Sequence, residues 1–208
     1  MKPKVLVLGA SHATRIHTAL IADNRADNFK IINNTKPGST LGSPSTNKLC
    51  INYDVLASLS ENDYVIVQFL GNDLLKKNIW IERYPRKNIH ITKFEPKSES
   101  YLNKLRQTFK KILAITKAKV IIIDDIYRHV RCCNNHDFPG MIKFFAKQNK
   151  ALKETFSEYT VLDHRKILGF NYHKIKNVTE YKKILVDSVH LRKAFYSKIA
   201  EYLYSNIL

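Results

Sequence analysis

Cysteine is scarce in this sequence, and no apolar run is long. Only three cysteines occur among 208 residues, at Cys50, Cys132 and Cys133. The count is odd and two of the cysteines are adjacent in sequence, so they provide neither a disulfide framework nor the spacing of a zinc site. We therefore expect reduced thiols and no bound metal. No apolar segment approaches the ~20 residues of a transmembrane helix, which predicts that the chain has no membrane span.

The apolar stretch near the N-terminus is also short. In MKPKVLVLGASHATR it covers only a few residues, too few for the apolar core of a signal peptide. It is better explained as a first β-strand. We therefore expect an intracellular, cytoplasmic protein.

Acidic residues are also few. The chain has eighteen Asp and Glu but thirty-five Lys and Arg, which gives a formal net charge of +17. Such a balance favours a polyanionic partner, either nucleic acid or an anionic membrane surface. The basic residues are scattered along the chain and form no compact tract, so solubility alone would also account for them.

The sequence is rich in apolar, strand-like runs that alternate with amphipathic helical segments. The runs that predict strands cover residues 4–9, 29–34, 63–73, 119–127 and 159–164. The segments that predict helices cover residues 12–24, 46–60, 98–117 and 138–159, with a closing helix that runs to Leu208. Residues 79–94 indicate a small hairpin or an irregular excursion. This alternation predicts an α/β protein, a three-layer α/β/α sandwich around about five parallel strands. No repeat or linker divides the chain, so we expect one domain over residues 1–208.

Polar residues suited to catalysis follow several of the predicted strands. Functional groups of such folds gather at the carboxyl ends of the strands. Ser11 follows the first strand, Gly38 lies in the loop after the second, and Asn72 follows the third. Asp187 and His190 precede the final helix. Each alone has an ordinary structural explanation, as a helix N-cap, a turn residue or a helix start.

Together these five residues provide what the hydrolysis of an acyl ester requires. A serine hydroxyl is a poor nucleophile until a base accepts its proton, and His190 is the candidate base for Ser11. Asp187, three residues before His190, can orient the imidazole and stabilise its cation. The backbone N–H groups of Ser11 and Gly38 and the side-chain amide of Asn72 are candidate oxyanion-hole donors.

The same residues lie in four blocks through which the chain resembles the SGNH (GDSL-type) hydrolases. The blocks are GAS at 9–11, PGS at 37–39, GND at 71–73 and DSVH at 187–190. The resemblance implies a flavodoxin-like fold and a serine esterase without a cofactor, whose nucleophile, oxyanion donors, acid and base are the five residues above. Ala10 stands where the family usually has aspartate, which puts substrate preference in question more than activity. Size and charge further suggest an esterase of the retrotransposon-encoded or viral type.

Residues after the fourth strand are candidates for contact with the substrate. Arg128, Arg131 and His136 are expected to line the mouth of the site and to contact an anionic substrate. Asp124 and Asp125 lack an accompanying ligand cluster in the sequence, so a strand-end cap or a salt bridge to Arg128 is preferred to a metal site.

Two further histidines have structural interpretations. His12 adjoins Ser11, but adjacent residues at a helix start point in different directions, so we do not assign it as the base. His164 follows the fifth strand, with Asp163 as its only acidic neighbour in sequence, and is expected to be structural.

Two other functions remain compatible with the sequence. One is a catalytically silent protein of the same fold that binds nucleic acid or anionic membranes. The other is an acyltransferase that uses the same triad to pass the acyl group to an acceptor other than water. No feature predicts an oligomeric state.

Overall fold

A five-stranded parallel sheet forms the centre of the protein. The computed structural model describes residues 1–42, 48–68, 70–74, 96–126, 137–171, 174, 180, 183–185 and 190–208. The strands are β1 (Lys4–Gly9), β2 (Lys30–Thr35), β3 (Tyr64–Gln68), β4 (Lys119–Ile123) and β5 (Thr160–Leu162), in the order β2-β1-β3-β4-β5. Every pairing is parallel. All five predicted strands are confirmed, although β3 and β4 end several residues earlier than their apolar runs.

Helices follow most of the strands. Those of the described residues are α1 (Ser11–Ile21), α2 (Tyr53–Ala57), α3 (Glu99–Leu113), α4 (Asp137–Thr155), α5 (His164–Leu168) and α6 (Lys193–Asn206), with a 3-10 helix at Asn24–Asn28. The long helix predicted over 46–60 is wrong, because Lys48 pairs with Thr40 in a β-bridge and helix α2 begins only after its cap, Asn52. The sequence did not predict α5. The hairpin or excursion expected over 79–94 lies outside the described residues.

The core lies on both faces of the sheet because neighbouring strand residues point in opposite directions. In β1, Val5 and Val7 face α1 and α6, whereas Leu6 and Leu8 face α2 and most of the buried side chains of α3. Helix α4 contributes side chains to both cores. The predicted three-layer α/β/α arrangement is therefore confirmed.

The register of the three neighbouring strands determines where the candidate site lies. Gly9 at the end of β1 pairs with Thr35 of β2 on one side and with Gln68 of β3 on the other. The three strands thus end at the same level, and the loops that follow them leave the sheet side by side. The chain turns to opposite sides of β1 at this point, which is where ligands bind in open α/β sheets.

Within the described part of the chain, no helix combines the length and the apolar character needed to cross a membrane.

Candidate active site

Ser11 is the first residue of α1, directly beyond the end of β1. Gly9 has φ +147°, and a Cβ there would lie 2.0 Å from the backbone oxygen of Gln68, so only glycine fits where β1 meets β3. The N-cap position belongs to Ala10, which provides no side-chain hydrogen bond. The interpretation of Ser11 as the helix cap is therefore wrong. Its partly buried hydroxyl makes no hydrogen bond with the described part of the chain.

The loop that carries Gly38 is tied to the end of β1. The N–H of Lys36 donates to the carbonyl of Gly9 at 3.0 Å, and the N–H of Ser39 donates back to Lys36 at 3.1 Å. Gly38 completes this turn with φ +74°, a conformation that costs a residue with a Cβ about 1–2 kcal/mol. The backbone conformation thus favours glycine at this position of the sequence block, and Gly38 itself is exposed.

Asn72 and Asp73 fasten the loop after β3 to the loop after β2. The side-chain amide of Asn72 donates to the carbonyl of Ser39 at 2.7 Å. The buried carboxylate of Asp73 accepts the backbone N–H groups of residues 41–42 at 3.0 and 3.2 Å. These contacts bring Asn72 next to Ser39, the residue that follows Gly38, while the oxyanion role of Asn72 and Gly38 stays a prediction.

Leu70 is a strained residue immediately before this block. Its φ of +77° is rare for a side chain larger than glycine and costs about 1–2 kcal/mol. The buried side chain and two hydrogen bonds to its carbonyl, from the N–H groups of Asp73 at 2.6 Å and Leu74 at 3.2 Å, hold the conformation. Asn72 lies two residues further along the chain, and strain of this kind is typical of functional sites.

His190 lies beside the start of α1, although it comes from the opposite end of the chain. Its ring centroid is 5.2 Å from that of His12, with the rings tilted by 52°. His12 is the residue after Ser11 and is fully buried. The structure therefore brings the segment of the predicted base to the segment of the predicted nucleophile.

Four other predicted site residues lie outside the described residues. They are Asp187, Arg128, Arg131 and His136. The orienting role of the first and the substrate contacts of the other three stay predictions.

His12 and Tyr196 form a buried contact that the sequence did not reveal. Nδ1 of His12 lies 2.6 Å from the hydroxyl of Tyr196 in α6, and the N–H of Leu191 donates to the same hydroxyl at 3.3 Å. His12 thus points into the α1–α6 interface.

His164 has an acidic partner that the sequence order concealed. Asp124, at the end of β4, accepts the backbone N–H of His164 at 2.9 Å, and its carboxylate lies 2.5 Å from Nδ1 of the ring. Both side chains are fully buried. The expectation that His164 has only Asp163 nearby is wrong, because β4 and β5 are neighbours in the sheet.

Asp163 completes a group of three that is close enough to hold a metal ion, with ligand atoms of Asp124, Asp163 and His164 within 4.8 Å of one another. Asp163 is, however, paired with Arg165 at 2.6 Å and Lys153 at 3.3 Å. Burial raises the pKa of Asp163, but the hydrogen bonds and charge of Arg165 and the charge of Lys153 outweigh burial and hold the pKa well below 3.8. Two cations already pair with Asp163, and His164 pairs with Asp124, so we interpret the group as a structural charge cluster.

Similarity to known proteins is found in the structure of the chain. No protein-family model and no curated protein matches the sequence. Solved structures do match it. A member of the lipolytic G-D-S-L family from Veillonella parvula has a TM-score of 0.58 and 16% identity, covering 98% of this chain and 97% of its own. An acetylxylan esterase from Geobacillus stearothermophilus has a TM-score of 0.57 and 14% identity, and the match covers 99% of this chain and 94% of the esterase. A putative SGNH hydrolase from Slackia heliotrinireducens has a TM-score of 0.59 and 15% identity over the full length of both chains. The chain therefore has the α/β fold of the SGNH (GDSL-type) hydrolases.

Proposed function

We propose that the protein is a serine esterase in which Ser11 is the nucleophile, His190 the base and Asp187 the residue that orients the base. The observation that carries this proposal is the meeting of the two ends of the chain, since the His190 ring lies 5.2 Å from the ring that follows Ser11. The position of Ser11 beyond the end of β1, without a capping role, also supports it. A residue needed only to start the helix would act as the cap.

The proposed reaction has two halves. The hydroxyl oxygen of Ser11 attacks the ester carbonyl carbon while His190 accepts its proton. The imidazolium then protonates the departing alcohol, which leaves an acyl group on Ser11. Water attacks this acyl group with His190 again as base, releases the carboxylic acid and restores the serine.

Negative charge develops on the carbonyl oxygen in both halves. We assign its stabilisation to the backbone N–H groups of Ser11 and Gly38 and to the amide of Asn72. The hydrogen bond from Asn72 to Ser39 fixes the plane of that amide, and the left-handed turn at Gly38 fixes the neighbouring N–H. Donors that are already oriented need no reorganisation when the charge appears, which is why such a site accelerates the reaction.

The substrate class that we propose is an ester of a short acyl group, acetyl first among them. Proteins of similar fold are described as a carbohydrate acetylesterase from Sinorhizobium meliloti, with 15% identity and a TM-score of 0.56, and as acetylxylan esterases. We further propose that Arg128, Arg131 and His136 line the mouth of the site and contact an anionic substrate.

A panel of p-nitrophenyl esters of increasing chain length, starting with the acetate, tests the proposal. We expect the wild type to hydrolyse the acetate and Ser11→Ala to lose several orders of magnitude in kcat, as is typical for a member of a triad. The matched control is Ser197→Ala, which removes an exposed hydroxyl from α6 and should leave kcat unchanged. Titration of the released acid distinguishes hydrolysis from acyl transfer. Full activity in folded Ser11→Ala would rule out the proposed nucleophile.

A further inference from the structure

We propose that Tyr196 and His12 form a positioning link that holds the segment of the base against the helix of the nucleophile. The inference rests on the proposed function, because it assigns a role to these residues through Ser11 and His190. Neither residue is placed in contact with the substrate. They act through His12 and Leu191, which are the sequence neighbours of Ser11 and His190.

The hydroxyl of Tyr196 connects two segments that are far apart in sequence. It lies 2.6 Å from Nδ1 of His12 and 3.3 Å from the backbone nitrogen of Leu191. His12 and Leu191 are fully buried, and Tyr196 is 2% exposed. Hydrogen bonds inside such an environment are stronger than at the surface, and each is costly to break.

The direction of the hydrogen bond from Leu191 follows from the backbone. The N–H of Leu191 can only donate, so the tyrosine oxygen accepts there, whereas the direction of the contact with Nδ1 of His12 depends on the tautomer of the histidine. In either direction, one tyrosine oxygen holds both segments.

The two ends of the link are one residue from the proposed catalytic groups. His12 follows Ser11, and Leu191 follows His190. Leu191 also forms an antiparallel bridge with Leu185, which holds the segment from its other side. By fixing the backbone next to Ser11 and next to His190, the link sets the distance between these two side chains. A displacement of about 1 Å between reacting groups can lower the rate 10²-fold.

The same pair of helices contains a second tyrosine that serves as a control. The hydroxyl of Tyr204 donates to the carbonyl of Leu20 at 3.0 Å, near the last residue of α1 and far from Ser11. Tyr196→Phe and Tyr204→Phe therefore remove the same atom from the same helix, and each breaks a contact to α1. They differ in which end of α1 they release.

The experiment compares kcat, KM and melting temperature for these two variants with p-nitrophenyl acetate as substrate. We expect Tyr196→Phe to lower kcat about 10–100-fold while KM changes less than about threefold, because misplacement affects the transition state more than binding. Tyr204→Phe should keep the wild-type kcat although it also loses a hydrogen bond. Equal kcat values for the two variants would overturn the inference.

Variants of His12 provide an independent measurement. Asn at this position keeps a group that can accept or donate a hydrogen bond close to the place of Nδ1, so His12→Asn should retain a kcat within about tenfold of the wild type, whereas the kcat of His12→Ala should fall as far as that of Tyr196→Phe. The double variant Tyr196→Phe/His12→Ala should be no slower than the slower single variant, since both changes break one unit. Additive losses, or equal losses in the Asn and Ala variants, would contradict the link.

Failure of this inference is distinguishable from failure of the proposed function. If Ser11→Ala stays active, the proposed function is wrong. If Ser11→Ala is inactive and Tyr196→Phe keeps the wild-type kcat, only the positioning link is wrong.

Discussion

Asn72 and Asp73 are adjacent residues whose side chains do different work at the edge of the sheet. Asn72 reaches across to the carbonyl of Ser39, at the surface of the candidate site. Asp73 is buried and accepts two backbone N–H groups, one on each carboxylate oxygen. A buried carboxylate with both oxygens bonded to the backbone stabilises a loop, whereas an amide at the site can also bind a developing negative charge. Replacing each in turn separates the two roles.

For Asn72→Ala we expect kcat to fall about 10²–10³-fold with little change in KM, as for the loss of one oxyanion donor. The measurement is steady-state kinetics on p-nitrophenyl acetate together with a melting curve. If Asn72 only shapes the turn, the melting temperature will drop while kcat stays at the wild-type value.

For Asp73→Asn we expect a loss of stability of about 1–3 kcal/mol, because the new amide N–H₂ faces one of two backbone donors and leaves it without an acceptor. Chemical denaturation of the variant and the wild type measures this loss. The loop that carries Gly38 also loses its anchor, so kcat should decrease as well, but less than in Asn72→Ala. A variant as stable as the wild type would show that the carboxylate does not hold the loop.

At the scale of the secondary-structure elements, helix α5 depends on side-chain contacts. It has only five residues, with Asp163 as its N-cap and Gly169 in a left-handed conformation as its C-cap. Asp163 pairs with Arg165 within the helix and with Lys153 of α4. The buried pair of Asp124 and His164 joins the same helix to β4. Helix α5 is therefore held by interactions with its neighbours, since a helix this short has little stability of its own.

The lowered pKa of Asp163 predicts an acid-sensitive contribution to stability. A carboxyl whose folded-state pKa lies below its ordinary value of 3.8 stabilises the protein above that value, and the contribution is lost as the pH falls below it. Asp163→Asn should thus lower stability by about 1–3 kcal/mol at neutral pH, and the difference from the wild type should shrink on acidification to about pH 3. Melting curves across this range measure the effect.

The control for Asp163 is an acidic residue in an exposed pair. Glu154 lies 3.8 Å from Lys150 one turn away on α4, and both side chains are more than half exposed. Glu154→Gln should change stability by no more than about 0.5 kcal/mol at any pH. Equal effects of the two substitutions would mean that the Asp163 cluster contributes no more than a surface ion pair.

At the scale of the whole molecule, the positive charge is only partly balanced. Several carboxylates of the described residues have basic partners, as in the pairs Asp23–Arg25, Lys147–Glu99 and Lys110–Glu158. With 35 basic and 18 acidic residues, many lysines and arginines exceed the supply of carboxylates. The surface potential of such a protein attracts polyanions over distances set by the ionic strength.

This charge predicts salt-sensitive binding to a polyanion, with nucleic acid and anionic membranes as the two alternatives. We expect the association constant for a single-stranded oligonucleotide or for vesicles of anionic lipid to fall steeply as salt rises, with a slope of roughly 0.7–0.9 in log K against log salt for each nucleic-acid phosphate neutralised. Ser11→Ala should bind equally well, since one uncharged hydroxyl does not alter the field. Titrations at several salt concentrations measure both ligands. If neither binds at low ionic strength, the charge serves solubility alone.

How much of the fold was predictable differs between elements for physical reasons. Strand β1 occupies the predicted residues 4–9, because a continuous apolar run that ends at glycine allows few alternatives. The helix predicted over 46–60 was wrong, since Lys48 found a β-bridge partner in Thr40 that no local pattern reveals. Helix α5 was missed because five residues are too few to establish a helical period and because its ion pairs come from other elements.

The candidate site likewise combines features that the sequence predicts with features that depend on tertiary structure. The sequence by itself determined which residue types follow which strands, and parallel strands necessarily place the loops that carry Ser11, Gly38 and Asn72 at one edge. Only the tertiary structure decided that Gly9 sits between Thr35 and Gln68 in register, that Asp124 meets His164, and that Tyr196 joins His12 to Leu191. Periodicity encodes which face of an element is buried, whereas the pairing of two buried polar groups depends on strand order and helix packing, which form only when distant parts of the chain come together.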